Sequence, residues 1–158
     1  MEQAQDGQGF EDDFDGIRIL TVGRLSEEKG QDIVPDILKK LKSAGYNVRW
    51  YLLGGGNLEI NIKQKIEELN LQNDLILLGK KINPYPYYQE CDVYVQTSRH
   101  EGFCITVAEA KIFNLPIVAT DVVGIRDQLK NKNELVVQRN IESIYQGIIT
   151  MINTFKRK

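Results

Sequence analysis

Residues 91–113 read CDVYVQTSRHEGFCITVAEAKIF and contain a complete transition from a strand to a helix. The run 91–97 is apolar and rich in β-formers, and an apolar helical run begins just after Gly102. Glu101 and Gly102 therefore fall on a strand-to-helix turn, where helix N–H groups are unpaired and point outward. Glu109 lies among apolar residues of this helix, so its carboxylate needs a partner.

Strand and helix patterns alternate along the rest of the chain. The predicted strands are 17–22, 48–53, 75–78, 93–96, 116–120 and 135–137, and the other predicted helices are about 31–43, 58–70, 87–90, 125–130 and 141–155. Such alternation argues for a parallel sheet covered on both faces. We therefore predict an α/β fold with a Rossmann-like, doubly wound parallel sheet. Ligands of such sheets bind outside the carboxyl ends of the strands.

The composition indicates one soluble globular domain. The chain has 158 residues, of which 42% are hydrophobic, and a formal net charge of −2. No apolar run approaches the roughly 20 residues that span a bilayer, and the N-terminus lacks a signal peptide, so we expect no transmembrane segment and a cytoplasmic location. Near-neutral charge predicts no nucleic-acid partner. Two cysteines and one histidine do not form a metal-ligand cluster, so no metal or other cofactor is expected.

Residues 1–16 differ from the rest of the chain. They contain six acidic residues, three glycines and no Lys or Arg. This composition suits a solvated segment rather than a core element. We predict a flexible acidic linker over 1–16 and a single domain over 17–158.

Two candidate anion-binding loops follow predicted strands. Arg24 and Lys29 flank a turn that enters a helix, so two cations and unpaired amides can converge on a diphosphate. Alternatively, Arg24 caps a neighbouring loop and Lys29 is solvated. Glycines 54–56 would let the backbone approach a phosphate closely, although they equally suit a plain tight turn.

The two acids of the opening stretch are candidate ligands for sugar hydroxyls. Glu101 and Glu109 lie eight residues apart across one strand-helix junction, which brings both carboxylates toward one crevice. Alternatively, Glu101 only complements the helix dipole and Glu109 reaches solvent. The tyrosines at 85, 87 and 88 either pack in the core or border a base pocket.

Together these residues resemble the C-terminal, donor-binding domain of group 1 retaining glycosyltransferases, which have the two-domain GT-B fold. The matching pieces appear in family order from about residue 17 to 137: VGRLSEEKG at 22–30, the glycine loop at 54–56, CDVYV at 91–95, SRHEGF at 98–103, and LPIVATD at 115–121. Glu101 and Glu109 form the family's Glu-seven-residues-Glu motif. The joint match is specific, whereas no single piece is.

The resemblance implies a role for each matching residue. Arg24 and Lys29 would hold the diphosphate of a nucleotide-sugar donor, Glu101 would face the sugar, and Glu109 would bind the ribose. Arg24, Lys29 and Glu101 are thus the implied catalytic residues. The further donor-binding positions are Gly23, Gly54, Gly55, Lys81, Gly102, Phe103, Cys104 and Ile105, with Lys81 framing the base.

Some positions depart from the family pattern. Cys104 stands where glycine is usual, so we expect a less close backbone approach there and a side chain that crowds the sugar. Asn114, Val123 and Asp127 also depart from common family residues.

The chain is also shorter than a family enzyme, which has a second, N-terminal domain with the acceptor site, so we expect these 158 residues to lack that domain. The resemblance implies an incomplete hexosyltransferase that binds a donor but cannot transfer it to a saccharide or lipid-linked acceptor. Peripheral membrane contact would belong to the full enzyme. Two alternatives remain open: half of a sugar-nucleotide epimerase, or a non-catalytic nucleotide-binding domain.

Overall fold

A computed structural model of the chain describes residues 8–155. They form one six-stranded sheet in the order β3-β2-β1-β4-β5-β6, in which every neighbouring pair is parallel. The strands are β1 (Ile17–Val22), β2 (Val48–Leu53), β3 (Leu75–Gly79), β4 (Val93–Gln96), β5 (Ile117–Thr120) and β6 (Glu134–Val137). This order confirms the predicted doubly wound sheet, because the chain returns to the centre after β3 and continues outward from β4.

Among the described residues, five α-helices connect the strands and a sixth follows β6. They are α1 (Val34–Ser43), α2 (Glu59–Glu68), α3 (Tyr85–Glu90), α4 (Ile105–Ile112), α5 (Ile125–Gln128) and α6 (Ile141–Thr154), and a short 3₁₀ helix, Gln31–Ile33, precedes α1. No helix among residues 8–155 has the length and apolar character needed to cross a membrane.

The core consists of two apolar layers, one on each face of the sheet. Ile19 of β1 packs with α1, α2 and α6, whereas its neighbour Leu20 packs with α3, α4 and α5. Both side chains are fully buried. Successive strand residues point to opposite faces, so a strand covered on both sides is apolar at consecutive positions. The predicted helices on both faces are therefore confirmed.

The described part of the acidic segment contacts the domain. Phe10 packs against Tyr51 with ring centroids 4.4 Å apart, and the Arg18 guanidinium lies 4.6 Å from the Phe10 centroid. The Asp12 carboxylate pairs with Arg18 and accepts a hydrogen bond from the Tyr51 hydroxyl at 2.7 Å. Residues 8–16 thus differ from a purely solvated linker, while residues 1–7 lie outside the described residues. The predicted boundary at residue 17 stays a prediction.

Candidate functional site

The loops that follow β1, β2 and β3 interlock at the carboxyl edge of the sheet. Leu25 N donates to Gly55 O at 3.0 Å, and Gly54 N donates to Gly79 O at 2.8 Å. A Cβ atom at position 54 would lie 2.1 Å from Gly23 O, so only glycine fits there. The close approach at Gly54 is therefore to the protein's own backbone. Contact of Gly54 or Gly55 with a phosphate stays a prediction.

Lys29 and Glu101 form an ion pair at this edge. Lys29 Nζ lies 2.8 Å from both Glu101 carboxylate oxygens, although 72 residues separate the two in sequence. The Lys29 side chain is 29% exposed and that of Glu101 only 4%. Lys29 is therefore not simply a solvated cation, and Glu101 does more than complement a helix dipole.

Polar side chains on β4 and just after it hold the Glu101 carboxylate. Glu101 Oε2 accepts hydrogen bonds from Ser98 Oγ at 2.6 Å and from Gln96 Nε2 at 3.2 Å. The Tyr94 hydroxyl in turn donates to Gln96 Oε1 at 2.6 Å. Burial raises the pKa of Tyr94, which therefore stays a neutral donor. The carboxylate is thus fixed in place before any ligand arrives.

Sequence reasoning gave no role to Tyr94, Gln96 and Ser98. A signal was available for two of them, because Tyr94 and Gln96 alternate with Val93 and Val95 along the strand and so point to one face of the sheet. A row of polar side chains on a buried strand indicates a hydrogen-bonded network.

Arg24 is exposed on the loop that follows β1. Its backbone carbonyl accepts a hydrogen bond from Gln31 Nε2 at 2.9 Å. Its guanidinium makes no hydrogen bond or ion pair with another residue in the range 8–155, so it does not cap a neighbouring loop there. The cation is therefore available to an anion from solution.

Glu109 lies on α4, on the opposite face of the sheet from α1. Its Oε1 accepts a hydrogen bond from the Tyr88 hydroxyl at 2.9 Å. Tyr88 is completely buried. Burial is the main cause that raises the pKa of its hydroxyl, and nearby groups, Glu109 among them, raise it further. Tyr88 is thus the partner that was predicted for Glu109. The sequence alone did not show which of the three neighbouring tyrosines it would be.

Thr106 contacts the hydrogen-bond partners of both acids. Gln96, which donates to Glu101, accepts a hydrogen bond from Thr106 Oγ1 at 3.1 Å. The Thr106 carbonyl oxygen lies 3.1 Å from the Tyr88 hydroxyl that donates to Glu109. Thr106 stands in the first turn of α4, so the start of this helix connects both ends of the motif.

A hollow of about 330 Å³ opens beside the ion pair. It is lined by Glu28, Lys29, His100, Glu101 and Gly102. Arg24 and Glu109 do not line it. The structure therefore brings Lys29 and Glu101 together in one cavity, and Glu109 is related to them only indirectly, through Tyr88 and Thr106.

Cys104, just before α4, was expected to crowd a bound sugar, but it is buried. Its side chain is 1% exposed and packs in the core, so it does not crowd a ligand. Its amide donates to Gln128 Oε1 at 3.0 Å, and its carbonyl accepts from Gln128 Nε2 at 3.1 Å. Burial raises the pKa of the Cys104 thiol. The Cys104 backbone, expected to meet phosphate or sugar, is occupied by Gln128.

Four other predicted donor-binding residues lie at the surface. Gly102 is exposed, and the side chains of Phe103 and Ile105 are 70% and 67% exposed. Lys81 is partly exposed in the loop after β3. Their contact with a ligand stays a prediction.

Comparison with known proteins identifies one family. Residues 7–157 match the family model described as glycosyl transferases, group 1. An uncharacterized glycosyltransferase of Methanocaldococcus jannaschii is 36% identical over 134 residues, which are 84% of this chain and 32% of the relative. The N-acetylgalactosamine-N,N'-diacetylbacillosaminyl-diphospho-undecaprenol 4-alpha-N-acetylgalactosaminyltransferase of Campylobacter jejuni is 32% identical over 141 residues, covering 87% of this chain and 38% of that protein. The chain thus spans about a third of the length of these relatives.

Solved structures share the fold. The crystal structure of Anabaena HepE in complex with UDP and glucose superposes with a TM-score of 0.78 at 25% sequence identity. The match covers 88% of this chain and 39% of that one.

Proposed function

The chain belongs to the group 1 glycosyltransferase family, and from this membership we propose that it is the C-terminal, donor-binding domain of a retaining enzyme. Its ligand in this proposal is a nucleoside diphosphate sugar, and the acceptor is a saccharide or a lipid-linked saccharide. The Anabaena structure with UDP and glucose supports this class of donor, and the name of the Campylobacter relative supports this class of acceptor.

The observation that carries the proposal is the Lys29–Glu101 ion pair beside a hollow, with the Arg24 guanidinium exposed on the same loop. When a glycosidic bond to a diphosphate breaks, negative charge grows on the leaving group. Cations already in position stabilise that charge, and removal of one such group typically costs about 2.7–4 kcal/mol of barrier. In this proposal Arg24 and Lys29 supply the charge, so no metal ion is required.

Glu101 has two roles in this proposal. It holds Lys29 in place, and its Oε1 can accept a hydrogen bond from a sugar hydroxyl, because within residues 8–155 this oxygen is bonded to Lys29 alone. Glu109 would bind the ribose hydroxyls, with its Oε1 oriented by Tyr88. Both carboxylates would thus recognise hydroxyl groups at opposite ends of the diphosphate.

Calorimetric titration of UDP, GDP and ADP into the 158-residue chain tests the proposal. We expect one diphosphate to bind, and Arg24→Ala and Glu109→Ala each to weaken it by roughly tenfold or more, the effect of losing a charge-assisted hydrogen bond of at least about 1.4 kcal/mol. Lys63→Ala is the control, because Lys63 lies on α2 and its side chain is 61% exposed. Unchanged affinity in both site variants would instead assign the chain to non-catalytic nucleotide-binding domains.

A further inference from the structure

We propose that Arg139 is a positioning residue that fixes the loop of Lys29 against the loop of Glu101. Arg139 follows β6, far in sequence from both loops, and no family motif in the sequence includes it. Its Nε donates to Thr97 O at 2.9 Å, and its Nη2 donates to Gly30 O at 2.9 Å. One guanidinium therefore joins the residue after Lys29 to the segment that leads into Glu101.

The two loops meet backbone to backbone at the point that Arg139 spans. Gly30 has a φ of +68°, and a Cβ atom there would lie 2.4 Å from Thr97 O and 2.9 Å from Arg139 Nη2. The Thr97 hydroxyl also donates to Lys29 O at 3.2 Å. The contact leaves no room for a side chain, so the separation of the loops is set by these hydrogen bonds.

Asp32 and Arg99 add a second connection beside the first. The Asp32 carboxylate accepts hydrogen bonds from Arg99 Nη2 at 2.8 Å and from Arg139 Nη2 at 3.3 Å. Arg99 Nη1 also donates to Glu27 O at 2.9 Å, and the Arg99 amide donates to Glu28 O at 2.8 Å. Asp32, Arg99 and Arg139 together form a clamp, which we call the loop clamp.

The loop clamp determines where the Lys29 ammonium lies. The flexible lysine side chain keeps its Nζ at Glu101 only while the two loops stay within its reach. Glu101 belongs to the other loop, and Lys29 Nζ lies 2.8 Å from its oxygens. Without Arg139 the two loops keep the contacts of Thr97 and Arg99, but their separation is less firmly fixed and Lys29 contributes less to binding a diphosphate. This inference rests on the proposed function, because it takes Lys29 as the group that binds the donor diphosphate.

The test compares a nucleoside diphosphate with its monophosphate. Calorimetry on the 158-residue chain first identifies which of UDP, GDP and ADP binds most tightly, and then measures that nucleotide and its monophosphate. We expect Arg139→Ala to reduce the preference for the diphosphate by about tenfold, equivalent to about 1.4 kcal/mol. A merely structural role would weaken both nucleotides alike and leave the preference unchanged.

Arg49→Ala is the matched control. The Arg49 side chain is 27% exposed, against 21% for Arg139, and it pairs with one carboxylate, Asp12. It lies near the start of β2, at the amino edge of the sheet. We expect this variant to keep the diphosphate preference of the unaltered chain.

Two further variants separate the possible failures. Arg139→Lys keeps the charge but loses the guanidinium group that donates to two carbonyls. We expect it to reduce the preference for the diphosphate by less than Arg139→Ala does. It also replaces Arg139→Ala if that variant does not fold. In a Lys29→Ala background, Arg139→Ala should cause no further loss of the diphosphate preference, because Arg139 acts through Lys29.

If Lys29→Ala reduces the preference but neither Arg139 variant does, the clamp inference is overturned and the proposed function stands. If Lys29→Ala itself has no effect, or no diphosphate binds, the role proposed for Lys29 is overturned and the inference with it.

Discussion

The Tyr88 hydroxyl is buried between the sheet and α4, and it lies 2.9 Å from Glu109 Oε1. A buried donor to a carboxylate holds that carboxylate in one position. We therefore predict that Tyr88→Phe weakens binding of the preferred ribonucleoside diphosphate by roughly tenfold, since one charge-assisted hydrogen bond is lost. The loss should be much smaller for the 2′,3′-dideoxy analogue, which offers Glu109 no ribose hydroxyls.

Titration of both nucleotides into both proteins checks this prediction. Tyr145→Phe is the control, because Tyr145 lies on α6 against the other face of the sheet, where its ring contacts Lys40. An equal loss for the ribonucleotide and the dideoxynucleotide would show that Tyr88 supports the fold but does not orient Glu109.

At this scale the sequence singled out candidate residues but not the groups that they contact. Arg24 and Lys29 are equivalent in the sequence, yet only Lys29 meets a buried acid, because the loops after β1 and β4 come together in the folded sheet. The need of Glu109 for a partner was predicted, whereas its identity depends on how α3 packs beside α4. Such contacts between residues far apart in sequence leave no local pattern to detect.

At the scale of secondary-structure elements, strands and long helices were predicted closely. Each strand is a short apolar run bounded by turn residues, and each long helix has an apolar stripe, so both signals are local. The start of α4 was predicted less well, just after Gly102 rather than at Ile105. Cys104 remains extended because Gln128, 24 residues later, binds its amide and carbonyl groups. That contact cannot be read from the periodicity of either segment.

The connection between the Lys29 loop and the Glu101 loop should depend on pH. Burial acts to raise the pKa of Asp32, but hydrogen bonds and charge from Arg99, together with the charge of Arg139, outweigh it and lower the pKa. A carboxyl group whose pKa is lowered on folding stabilises the protein above its unfolded pKa of about 3.9, and this contribution disappears as the pH falls through the folded value.

We therefore predict that Asp32→Asn lowers the melting temperature at pH 7 by up to about 4 °C, the effect of an ion pair worth at most about 1 kcal/mol. The difference between the two proteins should shrink as the pH falls from 4 toward 2.5. Circular dichroism melts across this range measure it. A difference that stays constant down to pH 2.5 would mean that Asp32 does not form a charged pair with the two arginines.

At the scale of the whole molecule, the sheet aligns the carboxyl ends of its strands, and the groups proposed to bind the donor lie along that one edge. Arg24 and Lys29 follow β1, Glu101 follows β4, and the hollow beside the ion pair opens to solvent. Glycosyl transfer also needs an acceptor hydroxyl held against the sugar. Holding two reactants in place in this way accounts for about 7–11 kcal/mol of a typical barrier. The chain spans about a third of its relatives' length, and in the proposed function every site residue serves the donor.

We therefore predict that the 158-residue chain binds a nucleoside diphosphate sugar but transfers no sugar above the rate in buffer. The measurement uses radiolabelled donors with free sugars and undecaprenyl-diphosphate-linked saccharides as acceptors, and it follows product by chromatography. The full-length Campylobacter relative with its own donor and acceptor is the positive control. Transfer by the short chain alone would mean that its residues also bind and orient the acceptor, and the exposed side chains at the start of α4, Phe103 and Ile105, would then be the first positions to alter.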